Sequence, residues 1–447
     1  MSEEIKINEL CYSTLSSSEP NSYETYINNG GYEAWKKIIS SSMSKKEIID
    51  VVIESGLRGR GGAGFSTGRK WSFINQDSND TKYLVCNADE SEPGTCKDRD
   101  IIRYNPHALI EGILIASYAI GADTAYCYLR GEFMDDVYSS FKNALKEAYD
   151  NRLIGKNILK SNIDIELHDL IGAGAYIVGE ETAMLESIEG KKGFPRYKPP
   201  FPAIKGLFDC PTIINNVETL ASIPKILDKG PKWFNSVGTD GSPGYKCFSV
   251  SGHVNKPGNY EIPLGTPFKK LLDLAGGVKD GRKLKAVIPG GSSVPVLPGE
   301  TMMEVNMDYE SIAKAGSLLG SGAVIVMDET TNMVEVIHRI ARFYYSESCG
   351  QCTPCREGTG WMFKIIDNII KGKGSMDDIK TLESIPDMIS GSTICALGDA
   401  AAMPVESFIK YFKNEFLEYI KKDNLSDLVN LKINSKTNKK EFVLHKK

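Results

Sequence analysis

Three cysteines spaced two residues apart, Cys349-Gly350-Gln351-Cys352-Thr353-Pro354-Cys355, restrict this chain more than any other stretch of it. Thiolates at that spacing can turn onto one small inorganic centre, and they are the usual ligands of a [4Fe–4S] cube. A cube needs a fourth ligand. In the helical region around the motif one further cysteine remains, Cys395 in Ser392-Thr393-Ile394-Cys395-Ala396-Leu397. It has no second cysteine beside it, so the paired C-x-x-C…C-x-x-C pattern of most structural zinc sites is missing. Zinc, or unrelated buried thiols, is the alternative reading; the spacing favours the cluster.

The 447 residues exceed one typical domain, so two to four packed units are expected, with cores large enough to need no disulfides. Hydrophobic residues at 41% and charged residues at 25% are ordinary for a water-facing globular chain. The net charge of -5 is mild and no basic stripe with interleaved aromatics occurs, which excludes nucleic acid as an expected partner. The acidic, polar start Met1-Ser2-Glu3-Glu4 is unlike a secretory signal or transit peptide. The most apolar run, 110–122, contains Glu111 and is far short of the roughly 20 residues that span a bilayer. No direct membrane insertion is expected; membrane association must come through partner proteins. Ten cysteines without a signal peptide indicate a reducing compartment, where clustered thiols read as ligands before disulfides.

Along the chain, residues 1–50 read as a leader with one helical segment near 32–39. Residues 45–53 have helical apolar spacing and run into a glycine-rich loop. Up to about residue 240, strands expected at 83–86, 124–129 and 163–167 alternate with helices at 106–120 and 138–149, the texture of a parallel doubly wound sheet. Between 241 and 325 the pattern becomes strand (248–251), turn (Asn255-Lys256-Pro257-Gly258), strand (260–262), helix (267–274) and strand (286–288), a small α+β module. From about 326 the pattern is helical. Its clearest helix is expected to start at Pro404 and to align Val405, Phe408, Ile409, Phe412, Phe416 and Ile420 on one face. The tail, 423–447 with Lys421 and Lys422 before it, is lysine-rich and reads as solvated.

Further segments carry chemistry. Gly56-Leu57-Arg58-Gly59-Arg60-Gly61-Gly62-Ala63-Gly64-Phe65 holds a G-x-G-x-x-G, but a helix-like segment precedes it where a dinucleotide fingerprint has a strand. Its glycines allow close approach to phosphate, and Arg58, Arg60, Arg69 and Lys70 are expected to add positive charge around it; an ordinary tight loop is the alternative. Asn87-Ala88-Asp89-Glu90-Ser91-Glu92 lies just past a strand's C-terminal end, where open α/β sheets bind ligands, although an acidic surface turn would look the same. Gly172-Ala173-Gly174-Ala175-Tyr176-Ile177-Val178-Gly179-Glu180-Glu181 is a glycine-rich turn opening a helix, with a stackable Tyr and two acids that would oppose a ribose 2′-phosphate. Lys198-Pro199-Pro200-Phe201-Pro202 is a rigid loop, and Asn215-Asn216-Val217-Glu218-Thr219 is a polar cluster suited to a ligand or to a helix cap. The five histidines show no triad or metal spacing, and Cys11, Cys86, Cys96, Cys127, Cys210 and Cys247 are scattered, more like ordinary thiols than ligands.

Taken together, the segments GLRGRGGAGF, NADESEPGTCKDRD, GAGAYIVGEETA, KPPFPA, NNVET, ESCGQCTPCREGTGW and TICALGDAAAMPV, in that order between about 25 and 420, resemble the NADH-binding flavoprotein subunit of complex I. The resemblance implies that Gly59, Gly61, Gly62, Lys70, Asn87, Asp89, Glu90, Tyr176, Gly179, Glu180, Asn215, Asn216 and Thr219 contact FMN. It implies that Phe65, Phe73, Glu92, Glu181, Lys198 and Phe201 line the NADH side, and that Cys349, Cys352, Cys355 and Cys395 hold the [4Fe–4S] cluster. The fold it implies is multidomain α/β and α. After a leader (1–50) come a Rossmann-like flavin domain (51–240), a ubiquitin-like β-grasp module (241–325), a helical bundle carrying the cluster (326–422) and a basic tail (423–447). Ser66 and Arg69 depart from the usual Pro and neutral residue of the family, and Val178 stands where Cys is common; none is a ligand position.

The implied activity is NADH:quinone oxidoreduction as one component of a proton-translocating complex. Hydride passes from NADH to FMN, then single electrons pass through the cluster towards quinone, and no side chain need be catalytic. Implied partners are a small [2Fe–2S] thioredoxin-like subunit and a larger iron–sulfur subunit, in the cytoplasm at the inner face of the membrane. The runner-up is the diaphorase subunit of a soluble NAD-linked hydrogenase or formate dehydrogenase. Such chains often add ferredoxin-like cysteine motifs at their ends, and none follows Cys395. A non-catalytic, metal-stabilised scaffold is the alternative of a different class.

Overall fold

A computed structural model describes the backbone of residues 6–436 and the side chains of residues 6–420. The chain divides into two compact units, Met1–Thr330 and Thr331–Lys447.

In the first unit β1 (Tyr83–Ala88), β2 (Thr124–Leu129), β3 (Glu166–Ile171) and β4 (Thr212–Asn216) form an all-parallel sheet in the order β3-β2-β1-β4. Leu84, Val85 and Cys86 are buried in succession, the continuous apolar run of a strand covered on both faces. The chain steps from β1 to β2 and β3 on one side, while β4 returns to the other. That reversal opens a crevice at the C-terminal ends of β1 and β4, where sheets of this kind bind ligands.

The helix Pro106–Ile120 is built as its sequence dictates. Pro106 sits in the first turn, and Gly121 at φ 78° ends the helix by turning its N–H back to Tyr118. It packs on the helix Val217–Lys229 through Gly112, where an added Cβ would lie 1.9 Å from the Leu220 carbonyl oxygen.

A second sheet follows, made of β5 (Tyr245–Gly252), β6 (Gly258–Pro263), β7 (Leu284–Ile288), β8 (Leu297–Pro298) and β9 (Ala323–Asp328) in the order β6-β5-β9-β7-β8. Only β5 and β9 run parallel. Phe248, Ile262, Val287, Val324 and Val326 pack with Phe268 and Leu271 of the helix Phe268–Leu274 in its core.

The second unit is helical: Met333–Glu347, Thr353–Ile370, Met376–Ile389 and Leu397–Lys436.

Three expectations are corrected. The leader has two helices, Tyr23–Asn28 and Glu33–Ser41, rather than one. The third strand starts at Glu166, not 163, because Ile165 exchanges both backbone hydrogen bonds with Gly155 and is withheld from the ladder. The last helix starts at Leu397, so Pro404 lies inside it. The helix-forming run Ala400-Ala401-Ala402 carries the backbone into the proline, and the axis breaks instead at Phe412 (φ -125°). Val405, Phe408, Ile409, Phe416 and Ile420 are buried as expected, while Phe412 is half-buried. The backbone stays helical through Lys436; the rest of the expected solvated tail lies outside the described residues.

Helix propensity alone makes Gly112→Ala a gain of about 1 kcal/mol. The contact with Leu220 predicts the opposite sign, a loss of about 3 kcal/mol as the two helices are forced apart. Urea unfolding followed by circular dichroism decides it; an unchanged or higher midpoint would show that the crossing yields freely.

Candidate functional site

The glycine loop runs between the helices Lys45–Glu54 and Thr67–Trp71, so it neither follows a strand nor forms a dinucleotide fingerprint. It is nonetheless laid over the crevice. A Cβ on Gly61 would stand 3.0 Å from Cβ of Asn216, the last residue of β4, and the Arg60 N–H donates to Thr219 Oγ1 at 2.8 Å. Gly62 has a φ of 140°, with nothing nearer its missing Cβ than the Gly320 carbonyl carbon at 3.9 Å. The result is a bare backbone ledge above the strand ends, where bulk added at Gly61 would meet the sheet. That is the fit an approaching phosphate or flat ring requires.

The arginines do not add charge there as expected. Arg58 donates to Glu310 at 2.6 Å and lies over the Tyr309 ring, because the loop's own curvature turns it outward. Arg60 is fully buried and donates to the Pro243 carbonyl. Arg69 is exposed in the last turn of the following short helix, and Lys70 is paired at the crevice rim.

Past β1 the side chains converge. Asn87 Nδ2 donates to the Gly179 carbonyl at 2.9 Å, joining the first strand's end to the turn before the helix Glu181–Ile188. Asp89 is buried against Gly179, whose missing Cβ would be 3.1 Å from Asp89 Oδ2. Glu90 accepts the N–H groups of Asp98 and Arg99 in the first turn of the helix Lys97–Tyr104. Burial and the Asp98 charge nevertheless raise its pKa to about 8. Glu92 accepts from the Tyr176 hydroxyl at 2.7 Å and the Ser293 N–H at 2.8 Å, and burial raises its pKa too. Asn215 accepts the Trp71 indole N–H at 2.8 Å.

At the crevice rim Glu181 takes Lys70 at 2.9 Å on one oxygen and Lys198 at 2.7 Å on the other, while Glu180 meets Lys198 at 3.1 Å. Burial opposes the Glu181 charge, but the two lysines hold its pKa down to about 2. Two acids facing two lysines make a neutral quartet, so the expected repulsion of a 2′-phosphate is not an unopposed negative field. Phe65, Phe73 and Phe201 are each more than half exposed, and the first two rings lie 6.0 Å apart, leaving apolar faces open beside the quartet. Phe201 stands on the loop that carries Lys198.

Sequence reasoning missed what holds this arrangement from beneath. Glu218 lies buried between Lys97 at 2.9 Å and Lys246 at 3.1 Å and accepts the Cys247 N–H at 2.8 Å. Lys97 also meets Asp98 at 2.7 Å, and Asp98 receives Asn216 Nδ2 at 2.6 Å. Burial raises the Glu218 pKa in isolation, but Lys246, Lys97 and Arg60 bring it down to about 2. Arg130, just past β2, donates to the Glu90 carbonyl at 2.8 Å. Lys97, Asp98 and Glu218 stand inside the motif segments or beside them, so the signal was their charge next to apolar runs.

In the second unit Cys352 is the N-cap of Thr353–Ile370, and Cys355 lies in its first turn with Ser348 Oγ 3.2 Å from its sulfur. Gly350, at φ 78°, makes the bend between Cys349 and Cys352. Cys395 stands two residues before Leu397–Lys436. Three of the four thiols thus sit at or beside helix N-termini, where backbone dipoles favour negative charge. Burial and the neighbouring Cys352 and Cys349 push the Cys355 thiol up to about 11.

Residues 52–225 match the family model of the Nuo51 FMN-binding domain, and 335–419 that of the NADH-ubiquinone oxidoreductase-F iron-sulfur binding region. Residues 247–305 match the SLBB domain. The NADH-quinone oxidoreductase F subunit of Rickettsia bellii (strain OSU 85-389) is 55% identical over 390 residues, 86% of this chain and 92% of its own length. Its counterpart in Rickettsia felis is 52% identical over 423 residues, 94% of this chain and 98% of its own. The chain belongs to the family of NADH-quinone oxidoreductase F subunits. A chain of the NAD+-reducing [NiFe]-hydrogenase in the H2-reduced state superposes with a TM-score of 0.76 at 35% identity, over 85% of this chain. This chain spans 63% of that hydrogenase chain. Within the family match, the flavin segment contains the ledge, all four strands of the parallel sheet and Glu218, and the iron–sulfur segment contains all four cysteines.

Glu218 has its pKa depressed in the fold, from an ordinary value of about 4.3. Its stabilisation is therefore complete above that value and is lost as pH falls towards about 2. By pH 3 the loss reaches about 2 kcal/mol. Glu218→Gln should remove that acid dependence and, by leaving Lys97 and Lys246 buried without a counter-charge, destabilise the fold at pH 7 by about 3–5 kcal/mol. Denaturant titrations of both proteins from pH 7 to pH 3 test this; parallel stability curves would remove Glu218 from the role.

Proposed function

We propose that this chain is the NADH-oxidising component of a complex I-type assembly, binding FMN in the crevice at β1 and β4 and a [4Fe–4S] cluster at Cys349, Cys352, Cys355 and Cys395. The observation that carries the reading is the glycine ledge held against Asn216 at the switch point of a parallel sheet, in a chain that also carries thiols at helix starts. When bound, flavin supplies the conversion of a two-electron hydride donor into one-electron traffic, and the cluster supplies a one-electron carrier.

The side chains position and exclude. Gly59, Gly61 and Gly62 leave room for the flavin's phosphate arm, while Asn87, Asp89, Glu90, Asn215, Asn216 and Thr219 present hydrogen-bonding groups along the strand ends. Tyr176, fixed by Glu92, and Gly179 close the side opposite the ledge. Phe65, Phe73 and Phe201 offer stacking faces to adenine or nicotinamide. Lys70, Lys198, Glu180 and Glu181 form a rim that can re-pair around a nucleotide's own charges. Glu90 accepts two backbone N–H groups at the strand end, and its burial works against a negative charge beside an electron-accepting ring.

The second sheet, with the helix Phe268–Leu274 packed on it, supports reading 241–325 as a β-grasp module between a flavin domain at 51–240 and a cluster-bearing bundle at 326–422. A small [2Fe–2S] subunit and a larger iron–sulfur subunit are the proposed partners, placing the chain at the inner face of the cytoplasmic membrane. The likeness to the hydrogenase chain supports the diaphorase reading as second choice. The near-complete coverage of the Rickettsia relatives favours the first.

Cys395→Ser should abolish or convert the cluster while FMN binding is retained, since the cysteine belongs to the second unit and the ledge to the first. Electron paramagnetic resonance of the reduced protein with flavin quantitation reads both; an unchanged [4Fe–4S] signal removes Cys395 from the ligands.

Among the described residues no helix is long and apolar enough to cross a membrane. The chain reconstituted with FMN, iron and sulfide should therefore reduce ferricyanide with NADH but leave detergent-solubilised quinone untouched. Inhibitor-sensitive quinone reduction by this chain alone would overturn the reading as one component of a larger assembly. Absence of NADH-dependent ferricyanide reduction in a flavin-loaded sample would overturn the activity itself.

A further inference from the structure

Two cysteines that look unrelated in sequence, Cys11 of the leader and Cys247 of β5, meet in the fold. Their sulfurs and a carboxylate oxygen of Glu261 on β6 all lie within 4.8 Å of one another, and all three residues are essentially without solvent exposure. Among the described residues this is the one place where three such ligand atoms gather so closely. A fourth oxygen faces them: Ser222 Oγ is 3.7 Å from Cys11 Sγ. The Ser222 hydroxyl donates its proton to the Glu218 carbonyl at 2.7 Å, which leaves its lone pairs for another partner.

We propose that Cys11, Cys247, Glu261 and Ser222 form a structural zinc site. With Zn–S near 2.3 Å and Zn–O near 2.0–2.2 Å, the edges of a tetrahedral S2O2 site are about 3.3–3.8 Å. The Cys11–Ser222 separation of 3.7 Å already has that length, and the Cys247–Glu261 separation of 3.9 Å has only to close slightly to reach it.

The carboxylate is oriented as metal-binding carboxylates are, by hydrogen bonds from behind. Leu10 and Cys11 donate their N–H groups to its two oxygens at 2.8 and 2.6 Å. Binding deprotonates both thiols: Zn2+ replaces two S–H protons, which leave to solvent, and no electron moves. Three regions of the chain, the leader, the helix Val217–Lys229 and the β5–β6 hairpin, would then be tied at one point. The centre is buried, so the ion enters during folding and leaves only on unfolding.

The test uses the full chain, flavin- and cluster-loaded, produced with zinc in the medium and purified without chelator. Elemental analysis should find one zinc per chain beside the cluster iron, and zinc-edge X-ray absorption should show two sulfur and two oxygen neighbours. Cys11→Ser and Cys247→Ser should each bring zinc to background, while Cys349→Ser should lower iron and leave zinc in place. Because a core variant can fail to fold, the X-ray absorption of the unaltered protein stands as an independent readout. A protein without zinc, a four-sulfur zinc environment, or a Cys11–Cys247 disulfide found by mass spectrometry would each overturn the assignment.

Discussion

The carboxylate of Glu218, held between Lys97 and Lys246 in the interior, is the constraint from which the crevice at the strand ends is built. The three charges arrive from different elements: the helix after the β1 loop, the helix after β4, and the first strand of the second sheet. A buried ion pair is a poor source of net stability, but breaking it is severe, so it acts as a register pin. Through Asp98 it reaches Asn216, and through Asn216 the ledge at Gly61. The ligand-facing surface is thus one contact away from a charge network that admits little displacement.

That arrangement suits the proposed chemistry. Hydride transfer between two bound rings depends on distance and stacking more than on proton donors. The polar groups at the strand ends have their partners in protein: Asn87 with Gly179, Asn215 with Trp71, Glu92 with Tyr176. They are preset and lose little freedom when a cofactor arrives.

Much of the fold was legible because it is local. The helix from Pro106 to Gly121 carries both of its boundary signals, and β2 matches its apolar run. Errors occurred where a distant or downstream residue overrode the local pattern. Ile165 was claimed by Gly155, and an alanine run carried the last helix through Pro404. In the site, the glycine loop and strand-end polar residues stood out, while their support did not. Glu218 and Lys97 are about 120 positions apart and only the folded sheet brings them together. Arg58 and Arg60 misled for the same reason: their charges are adjacent to the ledge in sequence but are engaged by Glu310 and Pro243.

Residues 8–12 have no regular structure of their own, yet Asn8 donates its backbone N–H to the Glu261 carbonyl and the following residues surround its carboxylate. Since β6 is the outer strand of its sheet, this stretch works as a border strip over an otherwise open edge. Anyone excising the second sheet for separate study would therefore have to graft the leader back onto it. Without that strip, an interior carboxylate and the Glu261 carbonyl would face water together at an open strand edge, inviting neighbouring molecules to stack along it.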